Sequence, residues 1–298
     1  MTAGPLPPAR GRLVACAPLA PLVWFRTGGP AEWLFEPADA DDLARFLAAL
    51  PPEVPVMALG LGSNLLVRDG GVPGVVVRLP KAFAGIERQG PDTLRCGAAA
   101  SGIAVASAAR DAAIAGLEFL RGIPGTVGGF LAMNAGAYGR EVAQVLVEAE
   151  LIHRDGRRET VPASALPMAY RHGGLPAGAI VVAASFRGHP GDPAAIQAEM
   201  DRIARLREET QPTRTRTGGS TFRNPSGAKA WALIAAAGCR GLRRGGAQVS
   251  EKHANFLLNT GGATSAELEA LGEEVRARVR ASSGVELEWE IVRVGVPA

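Results

Sequence analysis

The alternation of apolar and polar positions along the chain predicts short strands interleaved with helices. Residues 31–36 alternate like a half-buried strand. Residues 39–50 place apolar side chains on one helical face, and Asp39 or Asp41 stands where an N-cap is needed. Further apolar runs predict strands at 54–59, 65–67 and 75–79.

The rest of the chain continues this mixture of strands and helices. Ser101 and Asp192 stand at predicted helix starts, and Thr264 with Glu267 forms a capping-box pattern. Residues 211–219 are polar and predict a loop. The predicted helices are 101–115, 193–209, 229–237 and 264–280. The predicted strands are 145–153, a strand that follows a turn at 154–157, 179–186, 254–259 and 285–294.

Two glycine-rich segments interrupt the pattern. The longer one, from Gly116 to Gly139, has a glycine density that predicts neither a regular helix nor a regular strand. The shorter one, the first glycine loop, runs from Ala58 to Gly71. It is not a Rossmann fingerprint, because Leu65 stands where the third glycine of that motif would be. Glycine lets main-chain N–H groups approach phosphate oxygens, although each segment also suits a tight structural loop. The two together favour a cofactor that carries a diphosphate.

Composition narrows the classes of function. The 298 residues predict about two domains, and 47% hydrophobic residues suffice for a packed core. A net charge of +3 is too balanced for a nucleic-acid-binding surface. No apolar run reaches the roughly 20 residues of a membrane helix. The three widely spaced cysteines indicate reduced thiols, so we expect a cytoplasmic protein. From the charge and the short apolar runs, we expect it to bind neither nucleic acid nor membrane.

The motif Gly-Ile-Pro-Gly-Thr-Val-Gly-Gly at 122–129, followed by Met-Asn-Ala-Gly-Ala-Tyr-Gly at 133–139, carries a family resemblance. It resembles the FAD-binding domain of the vanillyl-alcohol-oxidase type and is similar to the UDP-N-acetylenolpyruvoylglucosamine reductase family. The likeness runs from about Trp24 to the C-terminus. It implies an α+β fold with a two-part FAD-binding domain of the vanillyl-alcohol-oxidase/PCMH type over 20–200 (subdomains about 20–80 and 81–200). A C-terminal α+β substrate-binding domain over 201–298 follows, and residues 1–19 are expected to be disordered.

The resemblance also implies the cofactors, which are non-covalently bound FAD and NADPH. No histidine cluster has the spacing of a metal site, so no metal is expected. The residues that the resemblance assigns to the cofactor are Gly60, Gly62, Ser63, Asn64, Leu65, Gly122, Ile123, Pro124, Gly125, Gly128, Gly129, Asn134, Ala135, Gly136 and Arg207.

Three residues receive catalytic roles from the resemblance. Arg171 would stabilise a developing enolate, because a guanidinium is always charged. Ser220 would donate the proton that quenches the carbanion, and Glu290 would assist in a protonated form. Without the resemblance, Arg171 would be solvated, Ser220 would bond its own turn, and Glu290 would belong to a solvated face with Glu286 and Glu288.

Substrate contacts follow by the same route. Relatives usually carry Lys where Arg223 precedes Asn224, so the charge is kept with a different donor geometry. Arg240, Arg243 and Arg244 suit either a substrate diphosphate or a basic surface. The residues assigned to the substrate are Tyr170, Arg223, Asn224, Lys252 and His253.

The implied reaction is reduction of UDP-N-acetylglucosamine enolpyruvate to UDP-N-acetylmuramate, in peptidoglycan precursor synthesis, by a monomer. With no tyrosine after Tyr170, the chain resembles the subtype without a tyrosine lid, type II. Two alternatives remain open: another oxidase or dehydrogenase on the same scaffold, and a nucleotide-sugar-binding regulator without turnover.

Overall fold

The computed structural model describes residues 6–298, and the chain forms two compact units. Within the described residues, unit 1 comprises residues 6–15, Trp33–Leu61 and Gly74–Leu206, and unit 2 comprises Cys16–Glu32, Gly62–Pro73 and Arg207–Ala298. The chain therefore passes between the units several times. The last passage falls inside a long helix, between Leu206 and Arg207.

The elements confirm the predicted mixture of strands and helices. The helices are Ala40–Ala49 (α1), Gly102–Asp111 (α2), Val127–Ala132 (α3), Pro193–Thr210 (α4), Ala230–Ala236 (α5) and Ser265–Ser283 (α6). The strands are Arg12–Pro18 (β1), Pro30–Glu36 (β2), Val56–Leu59 (β3), Leu65–Val67 (β4), Val72–Arg78 (β5), Ile86–Arg88 (β6), Thr93–Gly97 (β7), Ile114–Ala115 (β8), Gly136–Ala137 (β9), Arg140–Glu141 (β10), Leu146–Ile152 (β11), Arg158–Pro162 (β12), Ile180–Arg187 (β13), His189–Pro190 (β14), Arg216–Ser220 (β15), Arg243–Arg244 (β16), Ala247–Val249 (β17), Phe256–Asn259 (β18) and Val292–Val294 (β19).

Unit 1 is built on two sheets. One has the order β1-β2-β5-β3, with β3 and β5 parallel, and α1 buries Leu43, Phe46 and Leu47 in the adjoining core. The other is antiparallel with the order β12-β11-β13-β7-β6. Helices α2 and α3 contribute Val105, Val127 and other buried residues to the core beside this second sheet.

Unit 2 is organised around an antiparallel sheet of order β15-β18-β17-β16. Strand β19 runs parallel to β4 in a separate pair. The capping box at Thr264 and Glu267 is confirmed at the start of α6, and the left-handed Gly284 follows its last turn. Across residues 6–298, no helix combines the length and the apolar character needed to cross a membrane.

The predicted disorder of residues 1–19 is wrong for residues 12–18, which form β1; residues 1–5 lie outside the described part of the chain. Backbone pairing at a sheet edge, rather than apolar periodicity, orders this strand. Just before it, the carboxylate of Asp42 accepts the backbone N–H groups of Arg10 and Gly11 at 2.8 Å, and that of Ala38 at 3.0 Å. Asp42 is 2% exposed, so these bonds anchor the segment to α1.

We expect Asp42→Asn to lower the free energy of unfolding by about 1.5–3 kcal/mol at pH 7, the usual range for hydrogen bonds to a charged group. Burial raises the pKa of Asp42. The hydrogen bonds from the backbone N–H groups of Arg10, Ala38 and Gly11 lower this pKa by a larger amount, so it lies below its ordinary value. The contribution is therefore complete above the ordinary pKa of about 3.9 and disappears as the pH falls through the folded-state pKa.

Urea unfolding between pH 7 and pH 3 measures this difference. Asp41→Asn is the matched control, because exposed Asp41 forms a surface pair with Arg158 and should change stability little. Equal losses for the two variants, or a loss at Asp42 that does not shrink towards pH 3, would contradict the anchoring role.

Further predictions of local structure are wrong, and one of them is the end of α2, which lies at Asp111 instead of residue 115. The glycine-rich segment contains the short helix α3, which Thr126 precedes and which includes Gly128 and Gly129. Residues 216–220 form β15 rather than a loop, with a break in register between Thr217 and Ser220. Only residues 292–294 of the predicted last strand are β structure, apart from an isolated bridge at Trp289. In the two glycine cases, pairing with distant residues overrides a weak local preference.

Candidate functional site

Tyr170 and Arg171 occupy the tip of a two-residue turn in unit 1. The N–H of His172 donates to the carbonyl of Ala169 at 2.9 Å, and the reverse bond has the same length. Arg171 has a φ of 57°, at the position where a type II turn requires a positive φ. A bulky residue in this region is strained, and strain of this kind concentrates at functional positions. The Arg171 guanidinium lies 4.9 Å from the Tyr170 ring centroid.

The stem of this turn is fixed to the end of the glycine-rich segment. The side-chain amide of Asn134 donates to the carbonyl of Ala169 at 3.1 Å, and the N–H of Gly173 donates to the carbonyl of Ala132 at 3.1 Å. A Cβ on Gly173 would stand 1.8 Å from the carbonyl oxygen of Leu131, so no other residue fits there. The turn with Arg171 is therefore held against residues 131–134.

The four glycines of the 122–129 motif serve different purposes. A Cβ on Gly122 would meet Tyr138 at 2.3 Å, and one on Gly125 would meet Phe130 at 2.8 Å, so both are required for packing. A Cβ on Gly128 would lie 3.4 Å from Ala98, towards the sheet. Gly129 is exposed, and its nearest neighbour would be the Thr126 hydroxyl at 3.8 Å. Gly129 leaves the open space that a ligand needs to approach the backbone, so the segment fits the FAD implied by the sequence.

We expect Gly129→Val to weaken FAD binding by at least about tenfold, because the new side chain fills the space beside the backbone. Titration of the apoprotein with FAD, followed by flavin fluorescence, measures the dissociation constant. Gly128→Ala is the matched control: its Cβ would make an ordinary contact with Ala98, so affinity should stay within a few-fold of wild type. Equal weakening in both variants would show that helix α3 was disturbed as a whole.

The first glycine loop shows similar packing constraints. A Cβ on Gly60 would stand 2.8 Å from the hydroxyl of Thr126 in unit 1. Gly62, in unit 2, has a φ of +59°, and a Cβ there would lie 2.7 Å from the Val23 side chain. Ser63 and Asn64 follow, and Leu65 begins β4. Both glycines are therefore explained by packing, and binding by this loop stays a prediction.

Ser220 and Glu290 lie on neighbouring segments of unit 2. Ser220 ends β15 just after Gly219, whose φ of +80° allows the bulge in this strand. Ser220 is thus set by a strand bulge rather than by the simple glycine turn predicted from the sequence. The N–H of Glu290 donates to the carbonyl of Thr221, the next residue, at 2.8 Å. This bond fixes the backbone next to Ser220, the candidate proton donor, relative to the backbone of Glu290.

The three glutamates near the C-terminus differ in their surroundings. Glu286 pairs with Arg276 at 3.4 Å, and Glu288 lies 4.0 Å from Arg223. Glu290 is less exposed than either, and Asn64 donates to its main-chain carbonyl at 3.1 Å. The predicted alternation holds in burial although no continuous strand forms. The catalytic role of Glu290 stays a prediction.

Asn224 and Arg223 continue the segment that begins at Ser220. Asn224 accepts the N–H of Ala230 at 3.0 Å and so holds the first turn of α5. It also lines a pocket of about 610 Å³ together with Lys229 and Leu233. The Nε of Arg223 is buried and has no hydrogen-bond partner among the described residues. An anionic substrate group would satisfy this guanidinium.

Lys252 and His253 belong to unit 2 as well. The Lys252 ammonium donates to the carbonyl of Glu208. The His253 ring packs edge-on against Phe256, with centroids 4.7 Å apart, and burial lowers its pKa. A neutral, packed imidazole suits a structural or hydrogen-bonding role better than proton transfer at neutral pH.

Asn255 is a residue that the sequence interpretation missed. Its side chain accepts the N–H of Phe222 at 3.0 Å and donates to the carbonyl of Phe222 at 2.8 Å, and Asn255 is 4% exposed. The Asn255 side chain thereby makes the two hydrogen bonds to the backbone of Phe222 that a neighbouring strand would otherwise provide. No local motif predicts this role, because Asn255 and Phe222 are 33 positions apart in the sequence.

The candidate residues fall into two sets, one in each unit. Unit 1 holds Gly60, the 122–136 segment, Tyr170 and Arg171. The set in unit 2 comprises Gly62, Ser63, Asn64, Leu65, Arg207, Ser220, Arg223, Asn224, Lys252, His253 and Glu290.

Among residues 6–298, no group of three or more His, Cys, Asp or Glu side chains is placed to hold a metal ion. Of the three arginines at 240, 243 and 244, Arg240 donates to the carbonyl of Glu251.

Two family models match parts of the chain. Residues 31–161 match the model of an FAD binding domain, and residues 211–294 match that of the UDP-N-acetylenolpyruvoylglucosamine reductase C-terminal domain. The UDP-N-acetylenolpyruvoylglucosamine reductase of Rhizorhabdus wittichii is 70% identical over 98% of this chain and 95% of its own. That of Novosphingobium aromaticivorans is 68% identical over 97% of both chains.

A solved structure is similar over nearly the whole chain. The crystal structure of UDP-N-acetylenolpyruvylglucosamine reductase from Thermus caldophilus has a TM-score of 0.82 and 34% sequence identity. The match covers 96% of this chain and 99% of that one. The predicted α+β fold, with an FAD-binding domain followed by a C-terminal domain, is confirmed.

Proposed function

Since the chain belongs to the UDP-N-acetylenolpyruvoylglucosamine reductase family and is an FAD-dependent oxidoreductase, we propose that it reduces UDP-N-acetylglucosamine enolpyruvate to UDP-N-acetylmuramate with NADPH. The observation that carries the proposal is the 70% identity over 98% of the chain to a relative of that name. This reaction would provide a precursor for peptidoglycan synthesis.

The main-chain N–H groups of the two glycine segments, together with Arg207, would hold the cofactor. FAD held there would supply the hydride chemistry that links NADPH to the terminal carbon of the enolpyruvyl group. The neighbouring carbon then gains negative charge, which its carboxylate shares. Arg171 supplies a permanent positive charge to that group, and its planar fork matches a carboxylate.

Ser220 completes the reduction by giving its hydroxyl proton to the carbanion carbon, and the alkoxide that remains regains a proton from water. Glu290 acts in its protonated form, because a carboxylate would repel the enolate. The backbone hydrogen bond from Glu290 to Thr221 supports these two roles, since it holds Glu290 close to the residue that follows Ser220. Overall, the substrate gains one hydride and one proton, and NADPH becomes NADP+.

Tyr170, Arg223, Asn224, Lys252 and His253 would bind the nucleotide sugar. The buried Nε of Arg223 supports a role towards its diphosphate. With no tyrosine beyond Tyr170, we also propose the type II form, in which no tyrosine closes over the uridine.

Mass spectrometry of the reaction product tests this function. Purified protein, NADPH and UDP-N-acetylglucosamine enolpyruvate should yield a product heavier by two hydrogens, with one NADPH consumed for each product formed. Consumption of NADPH without this product would favour another oxidoreductase on the same scaffold. Binding of the substrate without turnover would favour the regulator.

A further inference from the structure

Asn134 combines three features that a cofactor ligand does not require. It is completely buried, it has a φ of 40°, and both ends of its side-chain amide are bonded to the protein. Its oxygen accepts the N–H of Ala143 at 2.9 Å, and its nitrogen donates to the carbonyl of Ala169 at 3.1 Å. The amide thus spans from the 142–144 turn to the turn that carries Arg171.

The carbonyl of Ala169 is the group through which Asn134 contacts the turn that carries Arg171. It accepts two donors, the N–H of His172 and the amide of Asn134. Arg171 lies between Ala169 and His172 and is held at a positive φ. A strained residue keeps its conformation only when the surrounding structure determines it. The second hydrogen bond on Ala169 provides such a constraint from outside the turn.

We propose that Asn134 is a positioning residue for Arg171, joining the glycine-rich segment to the turn that presents the guanidinium. The segment and the turn then move as one piece, together with the bond from Gly173 to Ala132. This inference rests on the role proposed for Arg171 and deepens it. It differs from direct binding of FAD by the Asn134 side chain, because that amide is already occupied by the protein.

Asn134→Asp is the sharpest test, because it replaces the NH2 group by an oxygen of nearly the same size. The bond from Ala143 survives, whereas an ionised carboxylate has no hydrogen to donate to the carbonyl of Ala169. Asn134→Gly cannot regain this bond through protonation and should give the same result. If the buried acid prevents folding, Asn134→Gly removes the amide and tolerates the positive φ. Ser185→Ala is the control, since Ser185 is 2% exposed in the same unit and loses a partly buried hydrogen bond to Gln89.

We expect Asn134→Asp to slow reoxidation of the flavin by substrate by about ten- to a hundredfold, with flavin reduction by NADPH and the FAD dissociation constant within threefold of wild type. In an Arg171→Gly background, the same change should add less than threefold, because its effect acts through Arg171. The Ser185→Ala control should leave both half-reactions unchanged. A large loss of FAD affinity, or additive losses in the double variant, would overturn the proposal.

Amide hydrogen exchange separates this proposal from the proposed function. In Asn134→Asp, the amides of Ala169 and His172 should exchange at least tenfold faster than in wild type, whether or not the protein reduces the expected substrate. Unchanged exchange at both amides would overturn the positioning role. Faster exchange in a protein whose wild type does not turn over the substrate would leave the anchor intact and refute only the function.

Discussion

An Arg171→Gly variant is expected to fold about as stably as the wild type and to reduce the enolpyruvyl substrate about 10²–10³-fold more slowly. The φ of 57° costs an arginine roughly 1–2 kcal/mol, which glycine does not incur. Glycine loses about 0.5–1 kcal/mol through its greater freedom in the unfolded chain. The two effects nearly cancel in the free energy of unfolding, whereas the charge proposed to stabilise the developing enolate is removed completely.

Urea unfolding and stopped-flow absorbance with substrate measure the two quantities. Ala113→Gly is the matched control, because Ala113 has the same φ of 57° at the end of α2. It should show the same small change in stability with no change in rate. Retention of substrate reduction in Arg171→Gly would remove Arg171 from the mechanism, and a loss of several kcal/mol of stability would indicate that the side chain mainly holds the fold.

Ser220→Ala should lower the rate of substrate reduction by about 10²–10⁴-fold, the usual contribution of a general acid. Flavin reduction by NADPH should stay within a few-fold of wild type, because no substrate proton moves in that step. Ser220→Cys should retain part of the activity, since a thiol also donates a proton. Stopped-flow absorbance of the flavin, recorded separately with NADPH and with substrate, gives the two rates.

Thr217→Val provides the control on the same strand. The Thr217 hydroxyl is buried and has no hydrogen-bond partner within residues 6–298, so its removal should keep or raise stability and change neither half-reaction. If Ser220 only shaped the bulge after Gly219, Ser220→Ala would slow both half-reactions together or neither. Equal slowing of the two would therefore sink the assignment of Ser220 as proton donor.

Local chemistry explains which elements the sequence predicts well. Asp39 caps α1 by accepting the N–H of Asp42, Ser101 caps α2, and Thr264 with Glu267 forms a reciprocal cap on α6. In each case a short side chain satisfies a backbone group within the same turn, so the signal is contained in a few neighbouring residues. Helix starts were accordingly predicted within about one residue.

Pairing between distant residues explains the failures. Strand β1 has little apolar periodicity and depends on its place in a sheet. Strand β15 contains Gly218 and Gly219, which suggest a loop until the bulged pairing with β18 is known. Helix α2 ends at Asp111 instead of continuing to residue 115, because Ala113 turns the chain into β8.

The sequence names candidate site residues, but it does not show how the fold holds them. The family motifs select Arg171, Ser220 and Glu290, and these assignments remain predictions of role. Nothing local distinguishes Gly128, which faces the sheet, from Gly129, which faces open space. The contact of Asn134 with Ala169 spans 35 positions. Such contacts decide how a side chain is held, and only the three-dimensional arrangement contains them.

Anaerobic visible spectroscopy of the purified protein tests the central claim most directly. The proposal predicts that one equivalent of NADPH lowers the absorbance of the bound FAD, and that UDP-N-acetylglucosamine enolpyruvate then restores it while UDP-N-acetylmuramate forms. UDP-N-acetylglucosamine, which lacks the double bond, should restore nothing. A flavin that NADPH reduces but that this substrate leaves reduced would contradict the account.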